Sequence, residues 1–294
     1  MHSATLTPLD YDLELISTIY ISHSKNSILP LLIAALLIDD ISLIEIDGDH
    51  IDDVRTMIKI IKHLGAHCIQ EKNRLIVDAR GLKTHDASTM NFANTRYSLL
   101  LLGALSARLG KAKVNHPGGC DLKRPFDFHI DLLKHLGCKL DIGEHTISCQ
   151  RTTSPRAELT LPYPSVGATL QAIFYSAIGD SQMTITIHNT ALEPEIDDVI
   201  SFLNKAGAKI FRNGKNWRKN RNRKNEITIN GFKSLSSEIR VNVSAPDLRG
   251  GMAIIILAIS CGCNINITSF NQILRGYTRI ISNAYILGGA INHD

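Results

Sequence analysis

Four copies of one short phrase punctuate the chain: Lys62-His-Leu-Gly-Ala66, Lys134-His-Leu-Gly-Cys138, Asn204-Lys-Ala-Gly-Ala208 and Tyr285-Ile-Leu-Gly-Gly289. Their glycines stand 72, 70 and 81 residues apart. A period of this size marks a chain built from repeated supersecondary units, which limits the architecture before any single residue is weighed. Each copy closes the same pattern. An apolar helix is expected first, at residues 27–37, 97–109, 167–178 and 250–260, then a short β-branched strand at 42–46, 113–115, 183–188 and 264–268. An amphipathic helix follows and ends on the repeated glycine. In the first copy Val54, Met57, Ile58, Ile60, Ile61 and Leu64 fall on one helical face. The glycine suits a left-handed helix C-cap. One or two strands complete each unit, as at 74–78, 146–149 and 226–230.

Each unit is thus a βαβαββ-like piece of about 70 residues. Such a piece cannot close a core alone. The units are expected to pack around a pseudo-symmetry axis, helices inside and sheets outside. The longest apolar runs, 28–38 and 254–259, are too short to span a bilayer, and residues 1–7 carry no basic segment followed by an apolar stretch. Neither a membrane span nor a leader is expected. Cysteines at 68, 120, 138, 149, 261 and 263 form no Cys-x-x-Cys pair, which reads as the free thiols of a cytoplasmic protein. The net charge of +4 is local: residues 212–224 hold seven basic residues and no acid. That segment, with Trp217 as its one aromatic, reads as a flexible, solvated insertion rather than a nucleic-acid site.

Chemistry concentrates where loops enter helices. The loop His116-Pro-Gly-Gly-Cys-Asp-Leu-Lys-Arg-Pro125 presents Cys120 near Lys123, Arg124 and a helix start, with Pro125 suited to the first helical position. A thiol so placed has a lowered pKa and gains reactivity; a loop thiol beside surface charges is the plainer account. Ser24-Lys25-Asn26-Ser27 opens the first apolar helix, where Lys25 can meet an anion alongside free backbone N–H groups. Arg96, Arg249 (in Asp247-Leu-Arg249) and Arg275 (in Arg275-Gly-Tyr277) stand at helix starts, where a cation gains nothing from the dipole. Repeated three times, that cost points to a bound phosphate or carboxylate, although each arginine alone reads equally as solvated. Tyr163-Pro-Ser-Val-Gly-Ala-Thr169 joins a loop to the third apolar helix, where Ser165 and free N–H groups can hold a phosphate or sugar oxygen. Glu195 reads as a dipole-complementing acid in Glu193-Pro-Glu-Ile196.

Taken together, Pro-Gly-Gly-Cys120, Arg124-Pro-x-Asp-x-His129, Pro164-Ser-Val-Gly-Ala-Thr169, Glu193-Pro-Glu-Ile196, Asp247-Leu-Arg249 and Arg275-Gly-Tyr277 resemble, in their order, the UDP-N-acetylglucosamine 1-carboxyvinyltransferase family. The resemblance implies an α/β fold of enolpyruvyl transferase type, an inside-out α/β barrel of βαβαββ units in two lobes. Residues 21–231 would form a complete three-unit lobe, and 1–20 plus 232–294 an incomplete returning lobe. The implied reaction adds the sugar 3′-hydroxyl to C2 of phosphoenolpyruvate while C3 is protonated. The tetrahedral intermediate then loses phosphate, the first committed step of peptidoglycan synthesis. By the same resemblance Cys120 is the acid, Lys25 and Asn26 contact phosphoenolpyruvate and sugar, and Arg96 lies near the nucleotide sugar. Arg124, Pro125, Phe126, Asp127 and Phe128, with Tyr163, Pro164, Ser165 and Val166, line the uridine and diphosphate site. Arg249 and Arg275 hold the anionic groups of phosphoenolpyruvate, supported by Asp247. No metal or organic cofactor is implied.

Two departures stand against the pattern. Four units are counted where the family has six, and no Pro-Thr-Asp-Met-like phrase supplies the family's base. Arg124 follows Cys120 by four residues, where the family usually has five. The returning lobe is expected to be partly disordered, to self-associate or to pack against another chain, because so small a piece buries a modest core. Two functions follow, a divergent transferase and a non-catalytic paralogue that at most binds nucleotide sugar.

Overall fold

The chain's first strand, β1 (Ser3–Pro8), precedes three successive units. The first unit is α1 (Lys25–Ala35), β2 (Ile41–Glu45), α2 (Asp52–His63), β3 (His67–Glu71) and β4 (Arg74–Asp78). The second is a 3-10 turn (Arg96–Leu100) running into α3 (Leu101–Leu109), then β5 (Lys111–Asn115), α4 (Asp127–His135), β6 (Cys138–Ile142) and β7 (Thr146–Arg151). The third is β8 (Glu158–Thr160), α5 (Val166–Ala177), β9 (Thr184–His188), α6 (Pro194–Lys205), β10 (Lys209–Asn213) and β11 (Glu226–Asn230). Among the described residues three strands follow: β12 (Ile239–Asn242), β13 (Ile265–Thr268) and β14 (Gly289–His293). This computed structural model describes residues 3–8, 24–46, 51–89, 95–117, 126–152, 158–179, 184–213, 226–230, 239–242, 265–268, 277, 280–282 and 289–293.

Helix character follows the expected division. In α1 every residue except Asn26 is buried, and in α5 every residue from Ala168 to Ala177. These helices are apolar on all faces, and α3 packs against both. Helix α2 is one-sided: Val54, Met57, Ile60 and Ile61 are buried while Arg55 and Lys59 face solvent. The repeated glycines end α2, α4 and α6 with φ of +102°, +88° and +102° at Gly65, Gly137 and Gly207. At Gly65 the N–H bonds Lys62 and the next N–H, of Ala66, bonds Ile61, the paired bonds of a Schellman cap; Gly207 and Ala208 repeat it on Asn204 and Leu203. The fourth apolar helix, expected at 250–260, lies outside the described residues. Among the described residues no helix is long and apolar enough to cross a membrane.

The sheets share one order. In β12-β2-β4-β3 and β8-β9-β11-β10, the strand after the apolar helix lies parallel to an outer neighbour and antiparallel to the second hairpin strand. The sheet β5-β7-β6 repeats the antiparallel part, and a parallel bridge of Asp86 to Lys113 marks the outer neighbour's place. Two units are completed from a distance. The outer neighbour of β2 is β12, beyond residue 231 where the three-unit lobe was expected to end. In β13-β1-β14, β1 is antiparallel to both partners, as β7 is to β5 and β6. The strand β1 therefore takes, between β13 and β14, the place that β7 holds between β5 and β6.

One residue of the basic segment does not belong with it. Arg212 Nη1 donates to Asp197 Oδ1 at 2.6 Å and Nη2 to the Ala191 carbonyl at 2.7 Å, with its side chain 4% exposed. It ties β10 to α6 rather than joining a solvated run; residues 214–225 lie outside the described residues.

Candidate functional site at the helix starts

Helix starts in all three units are joined through side chains. Ser24 caps α1 by accepting from the Asn26 N–H at 3.2 Å. Lys25 does not stand as a lone cation: its Nζ donates to Asp53 Oδ2 at 2.7 Å, and the two side chains are 7% and 4% exposed. Asp53 lies in the first turn of α2, where a carboxylate complements the helix dipole. Asn26 Oδ1 accepts from the Tyr97 hydroxyl at 2.9 Å, which fastens α1 to the 3-10 turn. Ser27 hydrogen-bonds the Asp198 carboxylate of α6, and burial pushes that carboxyl above its ordinary range.

The second half of the group is built around His129, in the first turn of α4 and 7% exposed. Burial, with the nearby positive charge of Arg96 second, pushes its imidazole down to about 4, so the ring is neutral near pH 7. A Cβ at position 167 would come within 2.9 Å of its Cε1 and 3.0 Å of its Nε2, so α5 approaches the ring this closely only because residue 167 is glycine. Ser165 caps α5 through Oγ, accepting from the Ala168 N–H at 3.3 Å. Its acceptor role is local, which leaves the hydroxyl proton and the first-turn N–H groups as the donors of Pro164-Ser165-Val166.

Aromatic rings flank this group. His116, at the end of β5, meets Phe126 edge-on with centroids 5.3 Å apart. Phe128 stacks on Tyr163 at 4.7 Å and 12°, and Tyr163 is 56% exposed. The Phe128–Tyr163 stack joins the start of α4 to the segment that leads into α5. Asp127 is exposed in the first turn of α4, which begins there with Phe126 as N-cap, two residues later than a start at Pro125. The starts of α1, α4 and α5 offer N–H donors of the kind that bind anions.

The structure thus brings together Lys25, Asn26, Arg96, Phe126, Phe128, Tyr163 and Ser165 at neighbouring helix starts. Cys120, Arg124, Pro125, Asp247, Arg249 and Arg275 lie outside the described residues. The sequence reading missed Asp53 and His129. Asp53 was legible in part: it stands four and seven positions before Met57 and Ile60, on the apolar face of α2, where a carboxylate needs a partner. A separate depression of about 200 Å³ on the β5-β7-β6 sheet is lined by His85, Lys111, Lys113, Lys139 and Asp141 among others, and none of its lining residues belongs to this group.

A sequence profile of EPSP synthase (3-phosphoshikimate 1-carboxyvinyltransferase) matches residues 13–242, the stretch that contains all three units and β12. The chain belongs to the EPSP synthase family. Within that family it is 37% identical over 213 residues to UDP-N-acetylglucosamine 1-carboxyvinyltransferase 2 of Caldanaerobacter subterraneus, covering 72% of this chain and 48% of that protein. It is 40% identical over 200 residues to UDP-N-acetylglucosamine 1-carboxyvinyltransferase of Kosmotoga olearia, covering 67% and 47%. The chain therefore spans about half the length of the curated relatives it matches. Among solved structures, the enolpyruvyl transferase NikO of Streptomyces tendae superposes with a TM-score of 0.67 at 19% identity, over 87% of this chain and 56% of that one. EPSP synthase of Acinetobacter baumannii superposes with 0.58 at 14%, over 82% and 52%. Both likenesses concern the fold, which is the α/β fold of the enolpyruvyl transferases.

Proposed function

We infer that the chain works in enolpyruvyl transfer of the peptidoglycan type, its three-unit portion taking UDP-N-acetylglucosamine. The observation that supports this reading is that the charge of Arg96 reaches His129 on α4, next in sequence to Phe128, which stacks on Tyr163, while Tyr97 beside Arg96 bonds Asn26. An exposed ring such as Tyr163, with helix N-terminal donors and a guanidinium, suits a nucleobase joined to a diphosphate. In this reading the 3′-hydroxyl of the sugar adds to C2 of phosphoenolpyruvate and gives up its proton, Cys120 delivers a proton to C3, and the tetrahedral adduct then loses phosphate together with a C3 proton, which restores the double bond. Lys25, Arg249 and Arg275 balance the phosphate and carboxylate charge, with Asp247 in support, and Arg124 to Phe128 with Tyr163 to Val166 seat the uridine and diphosphate. The reaction draws on side chains alone. The architecture proposed is the inside-out barrel, with 21–231 and β12 as one lobe and the remainder as the returning lobe.

A second reading rests on one observation: the sequence has no Pro-Thr-Asp-Met-like phrase to provide a base. The protein would then bind nucleotide sugar without turnover. Release of phosphate from phosphoenolpyruvate in the presence of UDP-N-acetylglucosamine separates the two. Turnover that disappears in Cys120→Ala supports the transferase. Saturable binding with no phosphate released supports the second reading and sinks the first.

A further inference from the structure

The strand β3 ends its sheet, and the middle of its outward face is apolar. In the order β12-β2-β4-β3 it pairs, among the described residues, with β4 alone. An open strand edge is a template for another strand, and native chains blunt it with charge or cover it. Here Ile69, in the middle of the five-residue strand His67–Glu71, is 53% exposed. It stands opposite Ile76, which stands opposite Leu43, so one apolar row crosses β3, β4 and β2 on the face turned from the core. The alternate residues Cys68, Leu75, Val77 and Ile44 point into the core instead. The backbone phase is also set. Lys72 and Asn73 make a two-residue turn, so Glu71 bonds Arg74 across it, and the bonding recurs at Ile69 and His67. The N–H and C=O groups of Cys68 and Gln70 therefore point to the open edge.

What fits this edge is written in the strand itself, because His67-Cys-Ile-Gln-Glu71 is self-complementary about Ile69. We propose that the edge of β3 docks a second copy of this chain, the two β3 strands pairing antiparallel about a two-fold axis at Ile69. Ile69 then meets the partner's Ile69, and His67 meets the partner's Glu71 at both ends. An imidazole can donate a hydrogen bond to a carboxylate in either protonation state. Cys68 meets the partner's Gln70, and these are the residues whose backbone groups point outward, so both such pairs exchange their N–H and C=O bonds. Within each chain His67 stands opposite Asp78 and Glu71 opposite Arg74. Signs therefore alternate along the joined row: Asp78, His67, the partner's Glu71, the partner's Arg74. The edge strand β10 exposes Phe211 in a similar way, at 58%, but Lys209 and Asn213 at its ends give no such match. The interface uses up the edge it needs, so association closes at a dimer. A contact this short belongs to the weak, transient class.

Sedimentation of the 294-residue chain between about 5 and about 500 μM should show a monomer–dimer equilibrium and no larger species. Ile69→Lys puts a cation on the axis, the device by which natural edge strands avoid pairing, and should weaken dimerisation at least about 10-fold. His67→Glu sets carboxylate against carboxylate twice in the dimer and should weaken it about 10-fold as well. Ile69→Cys reports the register. The Cα atoms of a pair in this position lie about 4.5 Å apart, within reach of a disulfide, so oxidation with diamide should link two chains through residue 69, as located by peptide mapping. Unchanged far-UV circular dichroism in each variant separates loss of pairing from loss of the fold. A chain that stays monomeric up to about 500 μM overturns the proposal. So does a dimer indifferent to Ile69→Lys, or one in which Ile69→Cys forms no link between the two residues 69.

Discussion

Replacing Asp53 by alanine tests whether the buried ion pair holds the first two helix starts together. Lys25 Nζ and Asp53 Oδ2 are 2.7 Å apart, with side chains 7% and 4% exposed. At an effective dielectric near 20 their attraction is about 6 kcal/mol. Each ion gives up several kcal/mol of hydration to be there, so the pair as a whole contributes little net stability. Removing one partner is different, since the other stays buried without its counter-charge. Asp53→Ala is expected to cost about 3–5 kcal/mol. The double variant Lys25→Met, Asp53→Leu replaces both charges with apolar groups of similar size. It should be less destabilised than Asp53→Ala alone by at least about 2 kcal/mol. Urea unfolding followed by far-UV circular dichroism measures this as a shift in midpoint at constant slope. Single costs that add in the double variant to within about 0.5 kcal/mol would show instead that the two residues act independently.

Three further outcomes follow from named residues. His129 is pushed down to about 4 in the folded chain, against about 6.5 when unfolded, so between these values only the unfolded chain takes up the proton. Stability should fall by about 3 kcal/mol as pH drops from 6.5 to 4, and His129→Gln should flatten that part of the profile. Gly65 and Gly207 share a φ of +102°, but a Cβ at Gly65 would lie 2.5 Å from the Gly81 carbonyl oxygen, whereas Gly207 has nothing within 4 Å. Gly65→Ala should therefore cost at least about 1 kcal/mol more than Gly207→Ala in the same unfolding assay, the strained φ being common to both. Burial raises the Cys68 thiol to about 11, and the hydrogen bond with Cys138, together with burial, raises Cys149. Mass-spectrometric mapping after iodoacetamide treatment should find both labelled at least about a hundredfold more slowly than in the urea-unfolded chain.

Much of the fold was legible because its signals are local. The repeated glycine specifies a left-handed cap from one residue, and the three such glycines within the described chain have it. The apolar and amphipathic helices differ in periodicity, and the structure buries them accordingly. What was not legible depends on distant parts of the chain. Nothing in residues 3–8 announces that they pair with 265–268 and 289–293, and nothing in 239–242 announces a place beside β2. The same holds within the site. The phrase around Lys25 marked a cation at a helix start, but its partner Asp53 is 28 positions away. Arg212 looked like the first member of a basic run, and only the packing of β10 on α6 shows it pairing inward with Asp197. His129 was visible in the quoted phrase as a residue type; its enclosure by Gly167 and Arg96 is a product of three helix starts meeting.

Calorimetric titration with UDP-N-acetylglucosamine tests the central claim, that the three-unit portion carries a nucleotide-sugar site at its helix starts. Saturable binding to one site per chain is expected, weakened about 10-fold or more by Arg96→Ala through loss of a charged hydrogen-bonding group. Absence of binding at millimolar ligand by the folded protein, or binding indifferent to Arg96, would contradict it.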